Sequence, residues 1–228
     1  MSCSLTIKNL ELWRGENRLC DSIDLTIAHK EKIAVIGHNG SGKTTLLETI
    51  VGLCPIKSGE IALFDQEELD LKSVGYLLQD ADDHFLLPIV EDDIAFSLLA
   101  RGIDRETAAK KTADILVKLG IERLAKNVVY HLSGGEKKLV ALAGILIGDP
   151  KLLLLDEPTA ALDYAAQIRL VEILQKLDIS MAIVSHDREF LEQIANRFYM
   201  LTPRGLRPIE GYERFITHSH DNLPPHTH

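Results

Sequence analysis

The sequence has little from which to build a covalent scaffold. It holds 3 cysteines, Cys3, Cys20 and Cys54, with no C-x-x-C pair and no histidine at zinc-finger distance. A disulfide framework and a structural zinc are thereby excluded, leaving reduced, buried thiols. Positive charge is also short, since 25 basic against 34 acidic residues give a net charge of −9. Binding a phosphate backbone or adhering to anionic lipid calls for the opposite balance, so no nucleic acid is expected as a partner. Long apolar runs are missing too. The run Leu152-Leu153-Leu154-Leu155 is among the longest, far below the roughly 20 residues that span a bilayer, and the amino terminus lacks a basic-then-apolar leader pattern. There is no repeat at solenoid period. With 46% hydrophobic residues over 228 positions, the expectation is one domain inside the cell, with one core or two subdomains sharing it.

What is present is an alternation of strands and helices. Leu5 to Lys8, the apolar/polar run Ile23 to Ile27, Lys32 to Ile36, Ile61 to Phe64 and Val74 to Leu78 read as strands. From about 90 to 148 the spacing turns helical, with Ala109, Ala113, Leu116 and Val117 in one segment and Leu139, Leu142, Ala143 and Leu146 in another. Strand and helix then alternate again through Leu152 to Leu155, Ala165 to Leu177, Met181 to Val184, Glu189 to Ala195 and Phe198 to Leu201. This order predicts an α/β fold with a largely parallel sheet. The core covers about 1–78 and 150–217, with a helical insertion over about 79–149. Residues 218–228 form a polar, histidine-rich tail that reads as disordered.

Gly37-His38-Asn39-Gly40-Ser41-Gly42-Lys43-Thr44 fits G-x-x-x-x-G-K-[ST] between a buried strand and a helix. Glycines let backbone N–H groups turn toward phosphate oxygens and the helix start adds positive potential. Lys43 is placed to neutralise the outer phosphates and the Thr44 hydroxyl to ligate Mg²⁺, with Thr45 beside them as a further nucleotide-binding candidate. Alone, this loop implies nucleotide binding and no particular reaction.

Leu132-Ser133-Gly134-Gly135-Glu136 reads first as a helix start, with Ser133 as N-cap and Glu136 closing a capping box. Capping does not require two glycines, which leave bare N–H groups for an anion. At these residues the sequence resembles the ATP-binding-cassette family, whose Leu-Ser-Gly-Gly signature faces the phosphate loop of a second subunit. Lys151 to Glu157 is an apolar strand ending in two carboxylates, the side of an open sheet where ligands bind. The resemblance makes Asp156 a Mg²⁺ ligand, Glu157 the general base for the attacking water, and Ala160 to Asp163 a dimer-contact loop. It also makes His186, ending the strand Met181 to Val184, a contact for the terminal phosphate. Gln79 becomes a ligand to Mg²⁺ and water that signals to a membrane partner. Trp13 stands where the family stacks an aromatic on adenine; covering a β-hairpin is the other reading. The resemblance spans about 3–210 and implies a P-loop core, an N-terminal antiparallel β subdomain, an inserted helical subdomain and Mg²⁺ with ATP. One departure is Ala160 or Ala161 where many members carry Ser.

Gln79 to His84 with Pro88 to Phe96 is similar to the ATPases of energy-coupling-factor importers, especially the cobalt and nickel branch, although Asn, Pro and the second Gln of its Gln-Asn-Pro-Asp-Asp-Gln run are replaced. That implies a peripheral subunit on the cytoplasmic face of the membrane. It would work as a homodimer or beside a paralogous ATPase, and drive integral membrane subunits in divalent metal import. A vitamin or other solute, a soluble cassette ATPase serving repair or the ribosome, and a small-molecule kinase are the competing readings. Long insertions or basic arms would favour the second, and the Ser133 to Glu136 signature speaks against the third. His218, His220, His226 and His228 could bind Ni²⁺, Co²⁺ or Zn²⁺, or belong to a solubilising tail.

Overall fold

In the computed structural model, which describes residues 3–65 and 71–210, two sheets share one apolar interior. The proposed metal-binding histidines of the tail lie outside the described residues. β1 (Cys3–Arg14) and β2 (Asn17–Ala28) form an antiparallel hairpin across the two-residue loop Gly15-Glu16, and β4 (Glu60–Leu63) pairs with the other edge of β1. Both long strands extend well past the short runs that alternation reveals. Register shifts between Ile7 and Trp13, with Asn9 at φ 49°, break the period-2 pattern while the hydrogen bonding continues.

The second sheet runs β5 (Val74–Leu77), β6 (Leu152–Asp156), β7 (Ser180–Val184), β3 (Lys32–Ile36), β8 (Arg197–Thr202), β9 (Gly205–Ile209). Its first five strands are parallel, and β9 returns antiparallel on β8. Every residue of β6 and β7 is buried, as expected for parallel strands covered on both faces. Sequence reading did not anticipate β9, whose Gly-Leu-Arg-Pro-Ile has no apolar alternation. Pro208 is tolerated there because β9 has a neighbour on one side only.

Helix α1 (Lys43–Ile50) lies between the sheets, and its Leu46, Leu47 and Ile50 join Leu5, Ile7, Leu10 and Ile23 in one cluster. On the opposite face, α5 (Tyr164–Lys176) and α6 (Arg188–Ile194) bury Leu170, Leu174, Phe190 and Leu191 against Leu153, Leu155, Met181 and Ile183. The inserted helices are α2 (Val90–Ala100), α3 (Arg105–Leu119) and α4 (Gly134–Leu146). α4 has two masters. Ala141 and Leu142 pack with the sheet, whereas Leu139, Val140 and Ala143 pack with Ile94, Leu98 and Leu116 of the insertion. A motion of the inserted helices therefore reaches the sheet through α4.

Candidate nucleotide site

The loop between β3 and α1 ends at Gly42, which has φ 97° and caps α1 without any side-chain hydrogen bond. The first amides of α1 are thus free of a capping side chain and aimed at the loop's hollow, where an anion is favoured. Lys43 donates to the carbonyls of Gly37 at 2.9 Å and His38 at 3.1 Å. Burial pushes its pKa down, and the nearby Glu157 and Asp156 carboxylates oppose that shift. Gly37 lies under Ser41 and the Leu201 carbonyl, too close for a β-carbon, while His38 is exposed at the rim.

Asp156 closes β6 and is 1% exposed, and neither of its carboxylate oxygens makes a hydrogen bond of full geometry, the Thr44 hydroxyl being only nearby. Burial raises its pKa first and Glu157 adds to the rise, against a lowering by the Thr44 hydroxyl and the Lys138 charge. An orphaned buried carboxylate is costly without a cation. With the hydroxyl of Thr44 and the amide of Gln79 on the same cavity walls, the oxygen-rich set suits a hard divalent ion such as Mg²⁺.

Glu157 follows at φ 45°. Its N–H donates to Val184 O at 2.8 Å, and its carboxylate accepts from the His186 N–H at 3.2 Å. The His186 side chain is 53% exposed and that of Glu157 is 15% exposed. The base candidate is thus held by the neighbouring strand end, with the half-exposed imidazole beside it, its Nε2 3.5 Å from the same carboxylate.

These elements enclose a cavity of about 580 Å³ walled by Asn39, Gly40, Gly42, Lys43, Thr44, Thr45, Gln79, Asp156, Glu157 and His186. Ala160, Val184, Arg14 and Leu19 complete the wall, and sequence reading missed Arg14 and Leu19. Trp13 does not line it: its indole N–H donates to Glu11 at 3.0 Å, and Lys57 Nζ sits 4.2 Å from its ring centre. Strand alternation alone would place neighbouring Arg14 on the opposite side from Trp13.

The signature residues sit apart from this cavity. Ser133 caps α4 in a full capping box with Glu136, which also pairs with Arg123 at 2.7 Å. Gly134 lines an adjoining cleft of about 610 Å³ that shares Thr44, Gln79 and Asp156, but Ser133, Gly135 and Glu136 line neither space. The glycines also answer a packing demand that sequence reading missed, since a β-carbon at Gly135 would meet Ala166 Cβ at 2.9 Å. His84 is a further residue that the motifs did not single out. Its Nε2 accepts the Leu78 N–H at 2.9 Å. Burial, aided by Lys138 and opposed by Asp83, pushes its pKa down to about 4.

The model of the ABC transporter family matches residues 20–160. A putative ABC transporter ATP-binding protein of Brucella suis biovar 1 is 43% identical over 211 residues, covering 90% of this chain and 88% of the relative. The energy-coupling factor transporter ATP-binding protein EcfA of Methanoculleus marisnigri is 38% identical over 200 residues, covering 83% of this chain and 72% of the relative. The solved structure of cbiO1 from Clostridium perfringens, described as part of the ABC transporter complex cbiONQ, superposes with a TM-score of 0.81 at 28% identity, covering 97% of this chain and 93% of that one. Family match, full-length relatives and the arrangement of the phosphate loop agree, and the chain belongs to the ABC transporter family as an ATP-binding, ATP-hydrolysing subunit.

Proposed function

We propose that two nucleotide-binding subunits, either two copies of this chain or this chain and a paralogue, close head to tail over two ATP molecules and open on hydrolysis. The observation that carries the reading is the separation of the site's halves. The capped start of α4 carries the signature, yet Ser133, Gly135 and Glu136 do not line the chain's own nucleotide cavity. A second subunit would supply them. Lys43 and the loop amides of Gly40 and Gly42 hold the phosphates, and Thr44, Asp156 and Gln79 hold Mg²⁺, which draws charge from the phosphate oxygens. Glu157 takes the proton of the attacking water, and His186 holds the terminal phosphate in line with it. Trp13 keeps its role against adenine as part of this proposal, beside the cavity wall to which Arg14 and Leu19 contribute.

The Glu157→Gln variant tests this. With the base gone, ATP should trap a pair detectable by sizing or light scattering; a variant that stays monomeric at every ATP concentration overturns the head-to-tail mechanism.

The load is a membrane partner, with this subunit peripheral on the cytoplasmic face. No helix among the described residues is long and apolar enough to cross a membrane. Leu86, 72% exposed just after Gln79, and the groove between α2 and α3 offer the partner an apolar seat. Cobalt or nickel import is the solute reading, supported by the run from Gln79 to Phe96 and by the likeness to cbiO1 and EcfA. Another solute, such as a vitamin, is the second reading. Co-purifying the membrane subunits and measuring Co²⁺ and Ni²⁺ uptake with and without Lys43→Ala separates them. Metal binding by His218, His220, His226 and His228 is tested by Ni²⁺ titration against a chain ending at Ile216, and equal affinities sink it.

A further inference from the structure

Lys138, in the second turn of α4, is 4% exposed. Its ammonium donates to the main-chain carbonyls of Leu78 at 3.2 Å and Gln79 at 2.5 Å, and to that of Glu157 at 3.5 Å, the outer limit of such a bond. An ammonium has three N–H donors, so each has its own carbonyl, drawn from the ends of β5 and β6. Nothing in helix energetics favours this placement. The start of a helix repels cations, and burial penalises the charge and lowers its pKa, a shift opposed by the Asp156, Asp80 and Glu157 carboxylates. What favours the lysine is the tertiary surroundings, namely those carboxylates and the three carbonyls.

The bonds have consequences for Gln79 and Glu157, the two residues that act on water in the proposed mechanism. Glu157 holds a φ of 45°, a conformation that persists only where its surroundings over-determine it. Val184 O accepts its N–H and the Ala160 N–H bonds its carbonyl at 3.0 Å, with Lys138 reaching that same carbonyl. The segment after Gln79 is tied to α4 a second time by Lys137, 2.6 Å from Asp82 Oδ1.

We propose that Lys138 is a positioning residue: from the signature helix it fixes the main chain of Gln79 and Glu157, so that a shift of α4 on meeting the partner's nucleotide resets the water-activating pair in the chain's own site. This rests on the head-to-tail reading and adds a link between the two sites. A lysine serving only the fold would leave catalysis per bound ATP untouched.

The test compares the parent with Lys138→Gln and Lys138→Arg in steady-state hydrolysis against ATP concentration, alongside equilibrium ATP binding to the monomer. In Lys138→Gln, kcat should fall at least about tenfold and the Hill slope drop toward one, while ATP binding stays within about twofold because the phosphate loop is untouched. Lys138→Arg keeps the charge but replaces one point of convergence with a planar fork, and should fall between the two. Parental kcat or parental slope in Lys138→Gln, or equal losses of binding and kcat, overturns the inference. Should Lys138→Gln not fold, Lys138→Arg decides: kcat lowered about threefold or more with binding held supports the link, and parental kcat overturns it. A Glu157→Gln variant that never pairs overturns the head-to-tail reading instead, and this inference with it.

Discussion

The N–H of His186 donates to one carboxylate oxygen of Glu157 at 3.2 Å, while the His186 Nε2 lies 3.5 Å from the other. The two residues stand 29 apart in sequence and meet because β6 and β7 are parallel neighbours, with Asp156 opposite Val184. The main chain of His186 thus aims the carboxylate, and the half-exposed ring lies beside it on the solvent side. His186→Ala should therefore lower kcat about 100-fold without weakening ATP binding, since the aim of Glu157 and the phosphate loop both survive. Single-turnover hydrolysis beside equilibrium binding checks this; a matching loss in binding would mean that the ring holds the ground state as tightly as the transition state.

Gly40 and Gly42 both have positive φ, 78° and 97°, but differ in their surroundings. A β-carbon at Gly40 meets open space, whereas one at Gly42 would lie 2.8 Å from Leu12 Cδ2 and 3.1 Å from Leu19 Cδ1. Gly40→Ala should cost about 1 kcal/mol from strain alone, and Gly42→Ala about 3 kcal/mol with ATP binding lost as α1 is displaced. Denaturant titration of both variants, with nucleotide binding, separates strain from clash.

Asp156 stores instability at the site. Burial disfavours its ionised form more than the Thr44 hydroxyl and the Lys138 charge favour it, and neither oxygen makes a hydrogen bond of full geometry, so the neutral Asp156→Asn should raise the melting temperature of the nucleotide-free protein by about 2–4 °C. The variant should hydrolyse no ATP, and Mg²⁺ with ATP should stabilise it less than the parent. Thermal melts with and without Mg²⁺ and ATP provide the check. A lower melting temperature without ligand would mean that Asp156 is already compensated.

His84 makes the fold acid-sensitive. With its folded pKa pushed from 6.5 down to about 4, the unfolded chain takes up a proton that the native site refuses. The contribution is complete above pH 6.5 and is lost as pH falls toward 4, amounting to roughly 3 kcal/mol. His84→Gln keeps an acceptor for the Leu78 N–H and removes the titration. Its stability should fall less than the parent's between pH 7 and 5, as read by urea denaturation; equal slopes would remove His84 from the acid response.

Legibility followed sequence separation. The phosphate loop, the capping box at Ser133 and the carboxylates at the end of β6 are each contiguous, so residue type and spacing suffice to show them, and their strand–helix context shows the α/β core. The hairpin from Cys3 to Ala28 was seen only in part, because its register shifts hide the alternation while the ladder persists. Edge strand β9 lacks any apolar pattern. That Arg14 and Leu19 line the cavity while Trp13 stands outside it depends on how that hairpin lies against the loop, which no period reports.

The sequence by itself determined where the chemically capable groups stand: Lys43, Thr44, Asp156 and Glu157 lie at the ends of buried strands or helix starts, and such positions follow from local pattern because backbone geometry is local. Tertiary structure alone decided the couplings. His186 meets Glu157, Lys138 gathers carbonyls from β5 and β6, and His84 receives the Leu78 N–H across distances set by sheet order and helix packing. A buried lysine reads in sequence as one more charge on a helix, since only the packed interior, by removing water, dictates which acceptors it must find.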